Sequence, residues 1–290
     1  ERRVSVEAEL VQSGYVLGHP VELAGVYRQK GRADNRRFAT LLRGRVADQQ
    51  VRLWQVSNGV HLYTDVTWGV ASGDESTPGR RDVTQIDLRE VRQALAPTRD
   101  SGWSNIDGRI NGAIGQGEAI ASDVNPALSA AFGGLPMLIE SLGANFHFIA
   151  PRKMRLHNEP VFVTVGYWRP ASIGALTAPD DTPTVGRLPH HVLLALGARD
   201  LFPYLIEYRG TDDPLAAAEL SDNARLQQST RPQLRIELRR PSLDTPIADA
   251  EFEYPEAGSV ARRDVTDTRL ANLKKRQRLK IAARSDTRTR

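Results

Sequence analysis

The chain has 290 residues, is 40% hydrophobic and 26% charged, and contains no cysteine. The lack of cysteine excludes disulfides, Cys-ligated zinc, iron–sulfur clusters and a thiol nucleophile. No apolar run approaches the roughly 20 residues that a membrane-spanning helix needs. The length fits either one large β-rich domain or two smaller domains.

The formal charge of +4 comes from the C-terminal end of the chain. Residues 261–290 hold 11 Lys or Arg and 3 Asp, whereas the other 260 residues hold 28 basic and 32 acidic groups. A nucleic-acid-binding domain usually has a basic face and stacking aromatic residues, and this segment has no aromatic residue. We therefore predict no nucleic-acid partner. We expect a basic tail over 268–290, disordered beyond residue 274, that binds anionic membrane surfaces.

Alternation of apolar and polar residues predicts antiparallel strands along most of the chain. Val4, Val6, Ala8 and Leu10 share one face of the first strand. Asn58-Gly59, a strong hairpin signal, joins two later strands. About eleven strands are predicted in all, from candidates at 3–10, 21–27, 38–46, 51–56, 60–66, 82–86, 146–149, 161–168, 191–196, 204–209, 234–239 and a short one near 251–254.

Two short helices have clear boundary signals. Asp87 and Glu90 form a capping box that begins a helix over 88–95, before Pro97. The second helix, 134–143, has Pro136 near its first turn and Gly143 as the predicted C-cap. A weaker, mostly charged segment at 267–281 is predicted to be a frayed or partner-dependent helix.

Strands occur on both sides of every irregular stretch, and neither half of the sequence shows a complete pattern of its own. We therefore predict one domain over 1–267 with a flexible insertion at 98–131, followed by the basic tail.

The familiar catalytic and ligand-binding motifs are missing from the sequence. Gly112, Gly115 and Gly117 follow no predicted strand, so they indicate a flexible loop. Asp180-Asp181 and Asp212-Asp213 lie in loops without a partner motif. His190 and His191 are predicted to point to opposite faces of a strand and so cannot share a metal. We predict no catalytic residue, no metal and no cofactor, and hence a protein that is not an enzyme.

Apolar residues occupy both faces of several predicted strands, as at 51–56 and 192–196. Such a sheet must be covered on both faces, yet the two confident helices are short. A curved sheet wrapped around these helices would leave an apolar concavity, which is the usual setting of a ligand site. Its candidate lining residues are Leu42, Leu53, Trp54, Val56, Leu62, Leu135, Leu138, Ile139, Leu142, Phe146, Val163 and Ile206.

Several segments, in the correct order, resemble the LolA-like periplasmic carriers of outer-membrane lipoproteins. These segments are 55–63, 83–88, 133–138 with 145–148, 200–208, and 243–247 before 252–255. The resemblance extends over about residues 4–267.

The resemblance implies a mainly β (α+β) fold: a curved antiparallel half-barrel of about eleven strands with short helices covering its concave face. It also implies a monomeric carrier of lipid or lipoprotein acyl chains, exported to the periplasm or cell envelope after loss of a signal peptide. An arginine latches the lid in this family, and Arg36, Arg37 and Arg43 are the candidates here. The alternative is a structural or interaction protein of the cell envelope with a filled core, docking through its basic tail.

Overall fold

The structure is a computed structural model that describes residues 5–16, 19–32, 35–69, 79–95, 126–170, 172, 189–210, 232–255 and 261–271. The described strands are β1 Ser5–Val16, β2 His19–Lys30, β3 Arg37–Val46, β4 Gln49–Ser57, β5 His61–Trp68, β6 Arg80–Asp87, β7 Phe146–Phe148, β8 Arg152–Leu156, β9 Glu159–Trp168, β10 His191–Gly197, β11 Pro203–Arg209, β12 Pro232–Leu243 and β13 Arg263–Asp264. The two longest described helices are α1 Leu88–Leu95 and α2 Pro126–Asn145, and a 3₁₀ turn spans Asp249–Phe252.

These strands form one open, curved sheet with the order β13-β6-β5-β4-β3-β2-β1-β12-β11-β10-β9-β7, and β8 also pairs with β9. Every described pairing is antiparallel except β13 with β6. The predicted mainly β half-barrel is therefore confirmed, with 13 strands in place of about eleven. Among the described helices, none combines the length and apolar character required to cross a membrane.

The helices lie on one face of the sheet, which we call the inner face. Its side chains form one continuous cluster that runs from β1 to β12 and includes Leu88 and Val91 of α1 and Leu138 of α2. Alternation along each strand places a smaller cluster, including Val56 and Phe252, on the outer face.

Residues 244–255, the outer strap, cover part of the outer face. Ile247, Phe252 and Tyr254 are buried against Ala39, Val56 and Val83. Lys30 donates to the Asp249 carboxylate at 2.7 Å, and Arg28 donates to Glu251 at 2.8 Å. The predicted short strand near 251–254 is therefore wrong, because this segment packs through side chains and forms a 3₁₀ turn at Asp249–Phe252.

The outer strap also donates a hydrogen bond to an ion pair that joins β5 and β6. Asp65 is fully buried, and the Arg81 guanidinium donates to both of its carboxylate oxygens. The Tyr254 hydroxyl donates to the same carboxylate at 2.9 Å. Breaking such a pair leaves an uncompensated charge, which costs about 3–5 kcal/mol.

Helix α1 has the predicted bounds and a partly predicted cap. Asp87 Oδ1 accepts hydrogen bonds from the backbone N–H groups of Arg89 at 2.7 Å and Glu90 at 3.2 Å. In a capping box the Glu90 side chain would accept a hydrogen bond from the backbone N–H of Asp87. Here that N–H donates to Thr266 Oγ1 instead. Residues 266–271 form a helix where a third one was expected, and the rest of 267–281 lies outside the described residues.

Helix α2 is longer than predicted and is kinked at Gly134, which has φ 65° and ψ −155°. Only glycine readily adopts this backbone conformation. Pro136 lies near the start of the segment after the kink, as predicted. Gly143 is not a C-cap, because the helix continues to Asn145. Of the predicted insertion, residues 126–131 open α2 and residues 98–125 lie outside the described part of the chain.

Replacing Gly134 tests the kink. In Gly134→Ala the new Cβ would lie 2.7 Å from the Tyr27 hydroxyl oxygen and 3.2 Å from Phe38, at a φ that alanine avoids. We expect a loss of about 1–3 kcal/mol in the free energy of unfolding, measured by urea denaturation. Gly143→Ala is the matched control, because a Cβ there meets nothing within 4 Å and should stabilise α2 by about 0.5–1 kcal/mol. Equal effects of the two changes would contradict the kink's role.

Candidate functional site

The inner face brings together nine of the twelve predicted lining residues. Three of them, Leu53, Leu135 and Ile139, are half-buried, and the others are buried. The nine residues are Leu42, Leu53, Leu62, Leu135, Leu138, Ile139, Leu142, Phe146 and Ile206.

The remaining three predicted lining residues lie on the outer face. Trp54 and Val56 pack in the cluster beneath the outer strap, where the Trp54 ring is 5.1 Å from the Tyr254 ring. Val163 packs in a separate cluster with Val161, Ala195 and Leu205. The apolar outer positions of β4 are therefore explained by the outer strap, a segment far away in the sequence.

One face of α2 lies against the sheet. Met137, Leu138 and Leu142 are buried, and Leu138 has only 3% of its surface exposed. Asn145, at the end of α2, donates through its side-chain amide to the Ser141 carbonyl at 2.8 Å, so both polar residues are satisfied within the helix. The predicted helical stripe thus forms the surface that faces the inner side of the sheet.

Tyr27 of β2 forms a hydrogen bond with the backbone of α2. The Tyr27 hydroxyl accepts a hydrogen bond from the Leu135 N–H at 2.9 Å and donates to Gln29 Oε1 at 2.7 Å. Leu135 directly follows the kink at Gly134, where no intrahelical acceptor is available to an N–H at the start of a helical segment. The contact therefore fixes α2 at its kink. Of the predicted latch candidates, Arg37 pairs with Asp249 of the outer strap.

The inner face contains one buried hydroxyl group without a partner. Tyr208 of β11 is 6% exposed, and its hydroxyl makes no hydrogen bond with any residue that the structure describes. The side chains of its strand neighbours Val192 and Leu234 and of the nearby Phe146 contain no acceptor. Burial raises the pKa of Tyr208, so the group is a neutral phenol that can donate a hydrogen bond.

The outer face of β11 and β12 carries a network of ion pairs that the sequence did not reveal. Glu207 and Glu237 are buried, and Arg209, Arg235 and Arg239 pair with them. Burial alone would raise the pKa of Glu237, but hydrogen bonds and charges from Arg239, Arg235 and His157 lower it to about 2. The Glu237 carboxylate is therefore ionised and paired with these arginines.

A mixed cleft adjoins Glu237 on the outer face. Its volume is about 550 Å³, and its lining residues are Leu156, His157, Glu159, Tyr204, Glu237, Leu238, Arg239, Arg240 and Pro241. Because Glu237 and Arg239 pair with each other across a 2.8 Å contact, the cleft presents no unmatched charge at its centre.

The two adjacent histidines do not point to opposite faces. His190 precedes β10, and its Nδ1 lies 3.4 Å from Nδ1 of His191, so the predicted separation is wrong. Burial, followed by the charges of His190 and Arg209, lowers the pKa of His191 to about 4. Among the described residues no three His, Asp or Glu side chains cluster as a metal site would require. The glycine loop at 112–117 and the paired aspartates at 180–181 and 212–213 lie outside these residues.

No protein-family model matches the chain, and no curated protein sequence matches it. Solved structures do. The chain is similar to a DUF1329 family protein from Desulfovibrio piger ATCC 29098, with 11% identity and a TM-score of 0.30, over 88% of this chain and 91% of that one. It is also similar to a putative outer membrane lipoprotein-sorting protein domain from Vibrio parahaemolyticus, with 11% identity and a TM-score of 0.28, over 86% and 89% of the two chains.

The fold class follows from the sheet itself, which is an open antiparallel half-barrel with short helices on its inner face. The chain therefore has the open, mainly β half-barrel architecture that the sequence predicted.

Removing the Tyr27 hydroxyl tests the attachment of α2. Tyr27→Phe leaves the Leu135 N–H and Gln29 Oε1 without this partner. We therefore expect a loss of about 1–3 kcal/mol in the free energy of unfolding and faster amide hydrogen exchange in 135–142. Tyr63→Phe on the outer face is the control, and it should leave exchange in α2 unchanged. Unaltered exchange in Tyr27→Phe would show that packing alone holds the helix.

Proposed function

We infer that the chain is a non-enzymatic carrier of the periplasm or cell envelope that binds lipid or lipoprotein acyl chains between α2 and the inner face of the sheet. The observation that carries this proposal is the single inner cluster, which is apolar from β1 to β12 and is covered in part by a helix fixed through Tyr27. A surface of this kind offers acyl chains the same environment as a protein core.

The kink in α2 provides a route of entry in this proposal. Movement of the segment after Gly134 requires loss of the Tyr27–Leu135 hydrogen bond and of the contacts of Met137, Leu138 and Leu142. An acyl chain that replaces those leucine contacts restores the buried apolar area, at about 25 cal/mol per Å². The helix can therefore leave the sheet at a small net cost when a ligand takes its place.

Tyr208 supplies the polar contact for such a ligand. Its neutral hydroxyl has no partner among the described residues and lies in an apolar surrounding, where an unpaired hydroxyl costs about 1–3 kcal/mol. The carbonyl oxygen of an acyl ester is an acceptor that would satisfy it. We propose that Tyr208 fixes the depth at which the ester end of the chain is held.

The alternative function is a structural or interaction protein of the cell envelope that docks through its basic tail. The close packing on the inner face favours it, since Leu138, Leu142 and Phe146 are each at most 3% exposed. Native mass spectrometry of freshly purified protein separates the two, because a carrier should retain co-purified lipid and a filled core should not.

A leucine of α2 provides the mutational test. If Leu138 only fills a solid core, Leu138→Ala should cost about 2–5 kcal/mol. If it borders an acyl-chain site, we expect a smaller loss in the urea midpoint together with changed binding of a fluorescent fatty-acid probe. Leu41→Ala, at a partly exposed outer position, is the control and should leave probe binding unchanged. A large loss of stability with no probe uptake by the wild type would favour the envelope interaction protein.

The Tyr208 hydroxyl is tested with two probes that differ only in an ester group. Tyr208→Phe should weaken binding of a pyrene-labelled acyl ester about tenfold, equal to about 1.4 kcal/mol, and leave a pyrene-labelled alkane unaffected. The unliganded variant should be at least as stable as the wild type, because an unpaired hydroxyl is removed. Equal affinity of both proteins for the ester would remove Tyr208 from the site while leaving the carrier proposal intact.

A further inference from the structure

Strand β8 forms an exposed edge of the sheet. It pairs with β9 on one side, and no described strand pairs with its other side. Its first four residues, 152–155, are all exposed, and only Leu156 is half-buried. The N–H and C=O groups on the free side are therefore open to solvent or to a partner.

The edge is strongly basic. Arg152, Lys153 and Arg155 fall within four residues, and residues 149–158 contain no Asp or Glu. None of these three cations forms an ion pair with a described acidic residue, whereas Arg209, Arg235 and Arg239 of β11 and β12 are all paired with buried glutamates. The Lys153 ammonium lies 6.0 Å from the centre of the Phe162 ring, a cation–π contact that leaves the net positive charge of the edge in place.

Large apolar side chains stand exposed among these charges. Met154 is 55% exposed and Ile149, just before β8, is 45% exposed. The β10–β11 turn adds Leu201, 65% exposed, and the exposed Arg199. This turn adjoins the same end of the sheet, because Ala198 donates its N–H to the Pro160 carbonyl and Gly197 pairs with Val161, the partner of Met154.

We propose that this basic edge, consisting of Arg152, Lys153, Met154, Arg155, Arg199 and Leu201, binds the surface of an anionic phospholipid bilayer. Its cations contact lipid phosphates, while Met154 and Leu201 enter the interface between headgroups and acyl chains. Ile149, just before β8, is also exposed and would contact the same interface.

Two features favour a bilayer over a peptide strand as the occupant. The register places Arg152 and Met154 on the side of Val161 and Val163, and Lys153 and Arg155 on the opposite side with Phe162. The charge therefore surrounds the strand instead of lining a groove on one face. Charged side chains on both sides of an edge strand also oppose pairing with another strand, whereas they match a plane of lipid phosphates.

The test uses the full chain with an environment-sensitive dye on a single cysteine, since the protein has none of its own. The dye on Met154→Cys should shift to the blue when vesicles of phosphatidylglycerol and phosphatidylcholine are added. It should not shift with phosphatidylcholine alone, and high salt should reverse the effect. Dye on Leu41→Cys, on the outer face away from this edge, should not shift. This site-specific signal separates the edge from any binding by the basic tail.

Charge removal supplies the second arm. Replacing Arg152, Lys153 and Arg155 by Gln in the dye-labelled chain should lower vesicle affinity about a hundredfold, at roughly fivefold per cation. The control replaces Arg37, Arg45 and Arg263, which are exposed but paired with acidic residues, by Gln, and should retain the affinity.

Three outcomes would overturn the proposal: no shift at position 154, equal losses in both triple variants, or a dye shift that depends on protein concentration without vesicles. The last result would identify a second copy of the chain as the occupant of the edge. Each result is independent of acyl-chain uptake by the inner face, which the fatty-acid probe measures separately.

Discussion

Pairing between β1 and β12 is the constraint on which the rest of the molecule depends. The two strands are antiparallel from Val6–Leu243 to Gly14–Leu234, with a bulge between Glu7 and Glu9. Ser5 extends the contact, accepting from the Asp244 N–H and donating to the Thr245 carbonyl. Without this pairing, β2–β6 and β7–β11 would be two separate sheets with no common inner face. The chain must close a loop of more than 200 residues to form it, which is typical of slow-folding β proteins.

The sheet solves the problem of two apolar faces with two different covers. Helices α1 and α2 lie on the inner face, and the outer strap lies on the outer face through Phe252 and Tyr254. The covers are attached by different chemistry. The strap is held by apolar contacts, by the Tyr254 hydroxyl on Asp65 and by surface ion pairs, whereas α2 is held by apolar contacts and the Tyr27 hydroxyl. The strap therefore has several charged anchors to the sheet, whereas the polar anchor described for α2 is the Tyr27 hydroxyl.

The sequence was a good guide to elements that are buried on one side. Eleven of the predicted strands and helix α1 lie where alternation and capping placed them, because a half-buried strand or an amphipathic helix shows its burial in its period. Strand β8, Arg-Lys-Met-Arg-Leu, was missed because it is exposed on both sides and so has no alternation. The two-residue β13 is too short to carry a pattern.

The sequence predicted which residues are apolar and buried, but not which face of the sheet each of them lies on. Nine of the twelve proposed residues share the inner face, yet Trp54 and Val56 are apolar because a segment nearly 200 residues later packs on them. Likewise nothing local marks Tyr27 as the partner of the Leu135 N–H, since the contact joins residues 108 apart in the sequence. Periodicity reports that a position is buried and does not report what buries it.

The last described segment of the chain and strand β8 lie at opposite edges of the sheet. After the outer strap, β13 pairs with β6 and Thr266 accepts from the Asp87 N–H, so this last described segment lies at the β6 edge. Strand β8 lies at the other edge, eleven inter-strand steps away, or about 50 Å along the sheet. A body held at both edges would be restrained in rotation as well as in distance, so its open face would keep one orientation towards the surface that holds it.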